Sequence, residues 1–335
     1  MNAFKKIFSP ILAALFVVTA VAAILLFNFD RRAFTAETYQ RAFARDDFYN
    51  KLPNMLAQAI AAPGADKSGL SPVLQGMSVE AWENFIRALL PPEALKAMGD
   101  DALTSTFAYL NLQSDSASVS LAPVKTAMTG EAGTQAVMTL IQTLPACTVE
   151  QIAKITFGLF SGGEIQLCNP PDEAKPLLAP IVQGQLQLAA SILPDELTLI
   201  AAPPANDPRL RLQAVRFFLR LSPILPILVL LALTLLSVRA LNDWLKWWGI
   251  PLLGAGLIAF VMGVLGAPIV GRIVVFILEN RLPNYIPEFL SAFTGDLASA
   301  MARALLAPVL WQGLLLACAG AGMAGLEYYL SRRRA

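Results

Sequence analysis

The chain has 335 residues, of which 56% are hydrophobic and 15% are charged, a balance typical of membrane proteins. It contains no histidine, which argues against the usual zinc sites and against catalysis by a histidine base. Residues 33–207 are acidic, with 9 Lys/Arg and 18 Asp/Glu, so we expect no nucleic-acid partner, which would need concentrated basic residues.

The first element is an apolar run over residues 7–29 that follows Lys5 and Lys6. About 20 apolar residues suffice to cross a bilayer. A cleaved signal peptide is the alternative, because Ala20-Val21-Ala22 has the small residues of a cleavage site. The apolar run continues beyond that site and is longer than a usual signal-peptide core. The pattern therefore favours an uncleaved transmembrane anchor over residues 1–30.

Residues 31–207 contain short amphipathic helices and predict a helical extracytoplasmic domain between the first and second spans. One helix begins after an N-cap at Ser78. Pro91-Pro92 ends this helix and opens another, which we expect Gly99 with its two neighbouring acids to interrupt. Alternation of serine with apolar residues around Val119 predicts a short extended piece.

Two cysteines of this domain, Cys147 and Cys168, flank a predicted helix that starts with a capping box at Thr148 and Gln151. Thirteen helical residues span about 20 Å. An extended return from Gly162 to Cys168 reaches about 23 Å. The geometry therefore permits a disulfide between Cys147 and Cys168, which we predict.

Residues 208–335 predict a membrane block of three further transmembrane helices. Asp207 and Pro208 form a strong helix start, and the pattern indicates one continuous helix into the second span, kinked at most by its prolines. An amphipathic external segment at 272–303 separates the third span from the fourth. The predicted fold is thus mostly α, with four transmembrane helices.

The third and fourth spans each carry small residues at every fourth position, which lie on one face of a helix. The rows are Ala255, Ala259, Gly263, Ala267 and Gly271 in the third span, and Gly313, Ala317, Ala321 and Gly325 in the fourth. Small residues let membrane helices pack closely, so we predict an antiparallel pair in which Gly263 and Ala267 face Ala317 and Ala321. The alternative is that small residues are simply common in membrane helices.

The distribution of basic residues in the short loops predicts the orientation in the membrane. Seven Lys/Arg lie on the side of the termini and three lie in the loop between the third and fourth spans. This asymmetry predicts a multi-pass cell-membrane protein with cytoplasmic termini and the large domain outside. A disulfide agrees with an oxidising compartment, whereas the arginines at the domain borders argue against this orientation.

No catalytic, cofactor or metal-binding motif is recognisable in the sequence. The neighbouring acids point apart on a helix and are more typical of a solvated face than of an acid–base pair; they are Asp46-Asp47, Asp100-Asp101, Asp172-Glu173 and Asp195-Glu196. The four spans contain essentially no ionisable residue, and this argues against an ion pathway. We therefore expect no enzyme, no cofactor and no metal.

The sequence favours a non-enzymatic membrane protein whose extracytoplasmic domain binds a ligand or another membrane or envelope protein, with membrane lipid as its surroundings. A transporter or lipid-handling protein, with a path at the junction of domain and membrane, is the alternative. An extracytoplasmic hydrolase is a third hypothesis, but it lacks a recognisable nucleophile and base. An open apolar cavity at the junction would favour lipid handling, whereas a filled junction with an exposed apolar patch would favour a partner.

Overall fold

The computed structural model describes residues 2–62, 75–142, 144–148, 168–203, 206–281 and 288–333. Within these ranges the chain is mostly helical and contains one two-stranded sheet. The elements in chain order are α1 (Asn2–Ala33), α2 (Ala36–Arg45), α3 (Phe48–Ala61), α4 (Val79–Leu89), α5 (Pro92–Leu110), β1 (Ala117–Ser120), α6 (Ala122–Thr129), α7 (Glu131–Gln142), α8 (Lys175–Ile192), β2 (Glu196–Ile200), α9 (Pro208–Leu221), α10 (Ile224–Ser237), α11 (Leu241–Arg281) and α12 (Glu288–Arg332).

Four segments among the described residues are helical, long and apolar enough to cross a membrane, which confirms this part of the predicted fold. They are Ile7–Ala33, Pro208–Ser237, Leu241–Asn280 and Ser291–Arg332. Their apolar side chains are mostly exposed on the surface of the protein. A hydrocarbon environment accommodates such surfaces, as expected for a multi-pass membrane protein.

The second apolar segment consists of two helices, α9 and α10, which meet at Ser222 and Pro223. Both residues keep helical dihedral angles, so the interruption is local. Proline lacks an N–H and clashes with the carbonyl four residues earlier, here that of Leu219. The Leu219 carbonyl instead accepts from the Ser222 N–H at 3.2 Å and from its hydroxyl at 2.6 Å. The Leu219 carbonyl therefore stays paired despite the proline.

Helices α11 and α12 form a long antiparallel hairpin. With 41 and 45 residues, they are about 62 and 68 Å long, roughly twice the 30 Å hydrocarbon thickness of a bilayer. The sequence predicted a separate amphipathic segment at 272–303. In the structure, residues 272–281 instead continue α11 and residues 288–303 begin α12. Small residues explain this, because Gly271 lets the helices stay in contact there, with a Cβ on it only 3.0 Å from the Gly295 carbonyl oxygen.

Helices α11 and α12 approach each other most closely at glycines that are spaced seven residues apart on α11. A Cβ on Gly256 would lie 2.7 Å from both the Gly313 carbonyl oxygen and the Ala317 Cα. A Cβ on Gly263 would lie 2.7 Å from the Leu310 Cα. The expected facing of Gly263 on Ala317 was therefore wrong by about two helical turns. The four-residue rows could not fix this alignment, because they occur along the whole length of both helices.

The predicted rows of small residues divide between several surroundings. Ala255 belongs to a buried apolar cluster with Phe16 and Ala20 of α1 and Val229 of α10, so it faces the first span. Ala321 is exposed, and a Cβ on Gly325 would meet open space. Ala259, Ala267, Gly271, Gly313 and Ala317 are buried. Ala321 and Gly325 thus lie on a face of α12 directed away from α11, although the helices still pack at this level, where a Cβ on Gly249 would lie 2.9 Å from the Ala324 backbone nitrogen.

Replacing Gly256 with leucine is expected to lower the free energy of unfolding by roughly 1–3 kcal/mol, because the added atoms overlap the α12 backbone. Gly325→Leu is the matched control on the facing helix, since its added side chain enters open space. Thermal unfolding of both variants in detergent measures the difference. Equal melting temperatures would contradict the close packing at Gly256.

The shorter helices between α1 and α9 form the intervening domain, defined as residues 34–207. One of its apolar cores contains Ala57, Trp82 and Ile86, with Phe85 and Met77 packed beside them. As expected, α4 begins after Ser78, whose hydroxyl accepts from the Ala81 N–H at 3.2 Å. This hydrogen bond satisfies one of the free donors at the helix start.

Helix α5 continues through Gly99, where an interruption was expected. The ring of Tyr49 lies directly against this glycine, and a Cβ there would be 2.8 Å from Tyr49 Cε1. Gly99 therefore permits helix packing and does not end the helix. Burial of the Tyr49 hydroxyl, with a smaller effect from the nearby Asp100 carboxylate, raises its pKa to about 12.

The two strands pair antiparallel, with Ser118 opposite Thr198 and Val119 opposite Leu197. The extended piece expected around Val119 is β1, whereas the sequence pattern did not predict β2. Its residues Glu196–Ile200 alternate polar and apolar for only a few positions, too short a signal to separate from the end of α8. The structure pairs β2 with a strand about 80 positions earlier, which is a tertiary effect.

Candidate functional site

A buried ion-pair network lies where the intervening domain meets the apolar helices. Asp30, near the end of α1, is 2% exposed and pairs with two arginines of α9. Arg216 Nε donates to one of its carboxylate oxygens at 2.7 Å, and Arg220 Nε donates to the other at 2.8 Å. The two arginines lie one turn apart and therefore point the same way from the helix. We call this group, with Asn111 and Arg209, the junction cluster.

Arg216 connects this ion pair to the intervening domain. Its guanidinium donates to the Asn111 side-chain oxygen and lies 4.3 Å from the centroid of the Phe34 ring. The Asn111 amide in turn donates to the Phe34 backbone carbonyl at 3.1 Å. One buried arginine thus joins α1, α9 and the residue that follows α5. An arginine suits this position because its planar group can form several hydrogen bonds and stack on a ring.

Arg209 makes a second set of contacts two turns earlier on α9. Its Nε pairs with Asp207 at 2.9 Å, and its Nη1 donates to the backbone carbonyls of Tyr109 and Ser114 at 3.1 and 2.7 Å. Gln213 donates to the Leu110 carbonyl at 3.1 Å. The last carbonyls of α5 have no partner within their own helix, and their partial negative charge favours a cation. The α9 side chains therefore cap α5.

The junction cluster corrects the expectation that the spans contain essentially no ionisable residue. Asp30 lies within the first apolar segment, and the second segment begins with Arg209 and Arg216, both buried. Because Asp30 accepts from two arginines, the cluster is suited to holding helices together. The sequence does contain a signal for this cluster. A carboxylate directly follows the first apolar run, and three arginines, spaced by seven and four residues, precede the second apolar run.

An opening on the same side of the apolar helices, which we call the arginine cleft, lies between α12 and the region from the end of α1 through α2. Its volume is about 580 Å³, and its lining includes Arg32, Arg41, Arg45, Asp46, Arg303 and Trp311. Four of these side chains are cationic and one is anionic. The remaining lining consists largely of alanine, with Pro308. The cleft is therefore basic, with an apolar part at Trp311.

Another opening, of about 430 Å³, lies between α4 and α7 in the intervening domain. Its lining is mostly apolar or small, with Met77, Phe85 and Ala136 among the side chains, and it includes the polar residues Asn84 and Gln135. This groove contains one ionisable group, Glu80, among its described lining. It offers a surface for apolar contacts and presents no acid–base pair.

The structure joins Cys147 and Cys168 by a disulfide, with their Cα atoms 5.0 Å apart. A parallel bridge between Ala146 and Asn169 lies beside the bond, and the Cys147 N–H donates to the Asn169 carbonyl at 2.9 Å. The helix predicted from Thr148 and Gln151 falls largely on 149–167, which are outside the described residues. Cys318, in α12, is the free cysteine of the described residues.

At least one acid of each neighbouring pair binds a nearby group of the domain. Asp101 accepts from the Ser120 N–H at 2.8 Å, and Glu196 accepts from the Ser118 hydroxyl at 3.0 Å. Hydrogen bonding and charge from Lys125 lower the pKa of Asp195, and those of Lys175 lower the pKa of Asp172. The pairs thus support strand and helix contacts. Within the described ranges, no group of three His, Cys, Asp or Glu residues is placed to hold a metal ion.

Comparison with known proteins yields no relative from which residue roles could be transferred. No protein-family model, no curated protein and no solved structure matches the chain.

Proposed function

We propose that the chain is a non-enzymatic cell-membrane protein whose intervening domain lies outside the membrane and binds another envelope protein. The basic residues at 5, 6, 239, 246 and 332–334 support cytoplasmic termini. The disulfide supports an oxidising surrounding for the domain. The junction cluster holds this domain against the apolar helices, so a partner bound to the domain also has a fixed position relative to the membrane.

Exposed apolar side chains on the domain are the observation that carries this proposal. Leu188, Ile192, Leu197 and Leu199 are 57%, 77%, 50% and 45% exposed and all lie within residues 188–199. None of them belongs to a helix long and apolar enough to cross a membrane. Exposed apolar surface outside the membrane marks contact sites for other proteins. We call these four residues the apolar surface.

A charge on the apolar surface is expected to abolish partner binding. Leu197→Glu places a charge on this surface, whereas Thr198→Glu places the same charge on the other face of β2, because both residues lie in the regularly paired part of the strand. Both proteins are purified from native membranes after cross-linking, and co-purifying proteins are identified. We expect one envelope protein to accompany the wild type and Thr198→Glu, and its amount to fall about tenfold or more with Leu197→Glu, as for a central interface residue.

Two results would contradict the proposal. The first is that no protein accompanies the wild type above the level of an unrelated membrane protein. The second is that the same protein accompanies the wild type and both variants equally. Circular dichroism of both variants is the control for folding. Because both substitutions are on an exposed strand, we expect both variants to fold like the wild type.

Transport or lipid handling is the second candidate. Its support is the arginine cleft, an opening where the domain meets the apolar helices. A path for lipid needs an apolar cavity, whereas the lining of this cleft is charged. A path for ions needs groups that can change partners, whereas Asp30 is paired with two arginines. Both observations favour a binding site over a path. Failure of reconstituted protein to move labelled lipid between the leaflets of vesicles would remove this candidate.

A further inference from the structure

We propose that the arginine cleft binds the phosphate group of an anionic phospholipid, with Trp311 against the glycerol and upper acyl region. The inference uses the membrane placement proposed above and is independent of any protein partner. Arg32 and Arg45 form the free cationic groups, because neither side chain pairs with another described residue. Arginine suits phosphate because its planar group donates two parallel hydrogen bonds to two oxygens.

The other charges of the cleft are partly neutralised. Arg41 pairs with Glu37 at 3.2 Å, and both side chains are exposed. Arg303 lies 3.8 Å from Asp46, near the limit for an ion pair. With Glu37 counted, the cleft holds four cations and two anions. The remaining positive charge therefore comes from Arg32, near the end of α1, and Arg45, the last residue of α2.

The contact between α1 and α12 sets the level of the cleft relative to the apolar run. Asn28 Nδ2 donates to Gln312 Oε1 at 2.7 Å, which places these residues side by side. Arg32 is one turn beyond Asn28, just after the apolar run of α1 ends. Trp311 is next to Gln312 and is therefore level with the end of that run, and it is 63% exposed.

This arrangement has the polarity of a phospholipid. Arg32 lies beyond the end of the apolar run and Arg303 lies about two turns from Trp311 toward the intervening domain, whereas Trp311 is level with the end of that run. Tryptophan prefers the interface between headgroups and hydrocarbon. Basic pockets between membrane helices are suited to anionic headgroups. A free phosphate ion would use the arginines alone, so the position of Trp311 favours the lipid.

The test titrates phosphatidylglycerol into the purified full-length chain in a neutral detergent and follows the first bound lipid by native mass spectrometry. An arginine that contacts the anionic headgroup contributes about fivefold to lipid binding. The double variant Arg32→Gln/Arg45→Gln is therefore expected to weaken the first binding step about 25-fold. Phosphatidylcholine should bind weakly to the wild type, and inorganic phosphate at the same concentration should not displace the bound lipid.

Arg31→Gln/Arg211→Gln is the matched control, because it removes the same charge from exposed arginines that do not line the cleft. We expect it to change the first binding step less than twofold. An equal loss in both double variants would overturn the proposal in favour of general surface charge. Displacement of the lipid by inorganic phosphate would overturn it in favour of a free-anion site. If the double variant unfolds, the first lipid-binding step is compared between the wild type and Arg45→Gln alone, since Arg45 is at an exposed position of α2.

Discussion

Asp30→Ala is expected to lower the free energy of unfolding by about 3 kcal/mol, because it leaves Arg216 buried without its carboxylate partner. Removing one member of a buried ion pair typically costs 3–5 kcal/mol. We expect the lower end because Arg220, the second partner, is 55% exposed and can be hydrated. Thermal unfolding of the full chain in detergent measures this loss.

Asp115→Ala is the matched control for this substitution. It also removes a carboxylate that pairs with a buried arginine, but Asp115 is 93% exposed and lies 3.5 Å from Arg209. Exposed ion pairs contribute between 0 and about 1 kcal/mol. A loss at Asp115 as large as that at Asp30 would show that the arginines, and not the buried Asp30 pair, determine the stability of the junction.

Replacing Cys147 and Cys168 with serine is expected to lower the free energy of unfolding by about 3 kcal/mol, from the chain entropy of a loop of this length. The two cysteines are 21 positions apart. The bond ties the residues that follow α7 to those that precede α8, and these helices pack against each other. Without the bond, the loop gains conformational freedom mainly in the unfolded chain. Thermal unfolding with and without reductant gives the same quantity by a second route.

Cys318→Ser is the control for the loss of a thiol, since Cys318 is exposed and makes no disulfide. We expect no change in stability from it. Thiol labelling of unfolded, non-reduced protein should modify Cys318 alone. Labelling of all three cysteines would contradict the bond, and with it one support for placing the domain outside the membrane.

The four apolar helices could be predicted from the sequence because each depends on local composition. A run of about 20 apolar residues specifies a membrane-compatible helix without reference to the rest of the chain. The cysteine pair was accessible for a similar reason, since its two members are near in sequence and the chain length between them limits the geometry. The cap at Ser78 is also a local signal.

The features that the sequence analysis missed depend on distant residues. Asp30 meets Arg216 across 186 positions, and β2 pairs with β1 across about 80. Gly99 looks like a helix breaker until the ring of Tyr49 is known to cover it. The hairpin alignment at Gly256 depends on which of several equivalent small residues approach one another. Each of these requires knowledge of which helices pack together, which local patterns do not contain.

We infer that the junction cluster holds the intervening domain rigidly against the apolar helices. Spin labels at position 131 in α7 and position 228 in α10, on a chain with Cys318→Ser, report the distance between the two parts in lipid nanodiscs. The junction cluster predicts a single narrow distance distribution, which broadens in Asp30→Ala. A broad distribution in the otherwise wild-type chain would contradict the claim, because it would mean that the domain moves independently of the membrane helices.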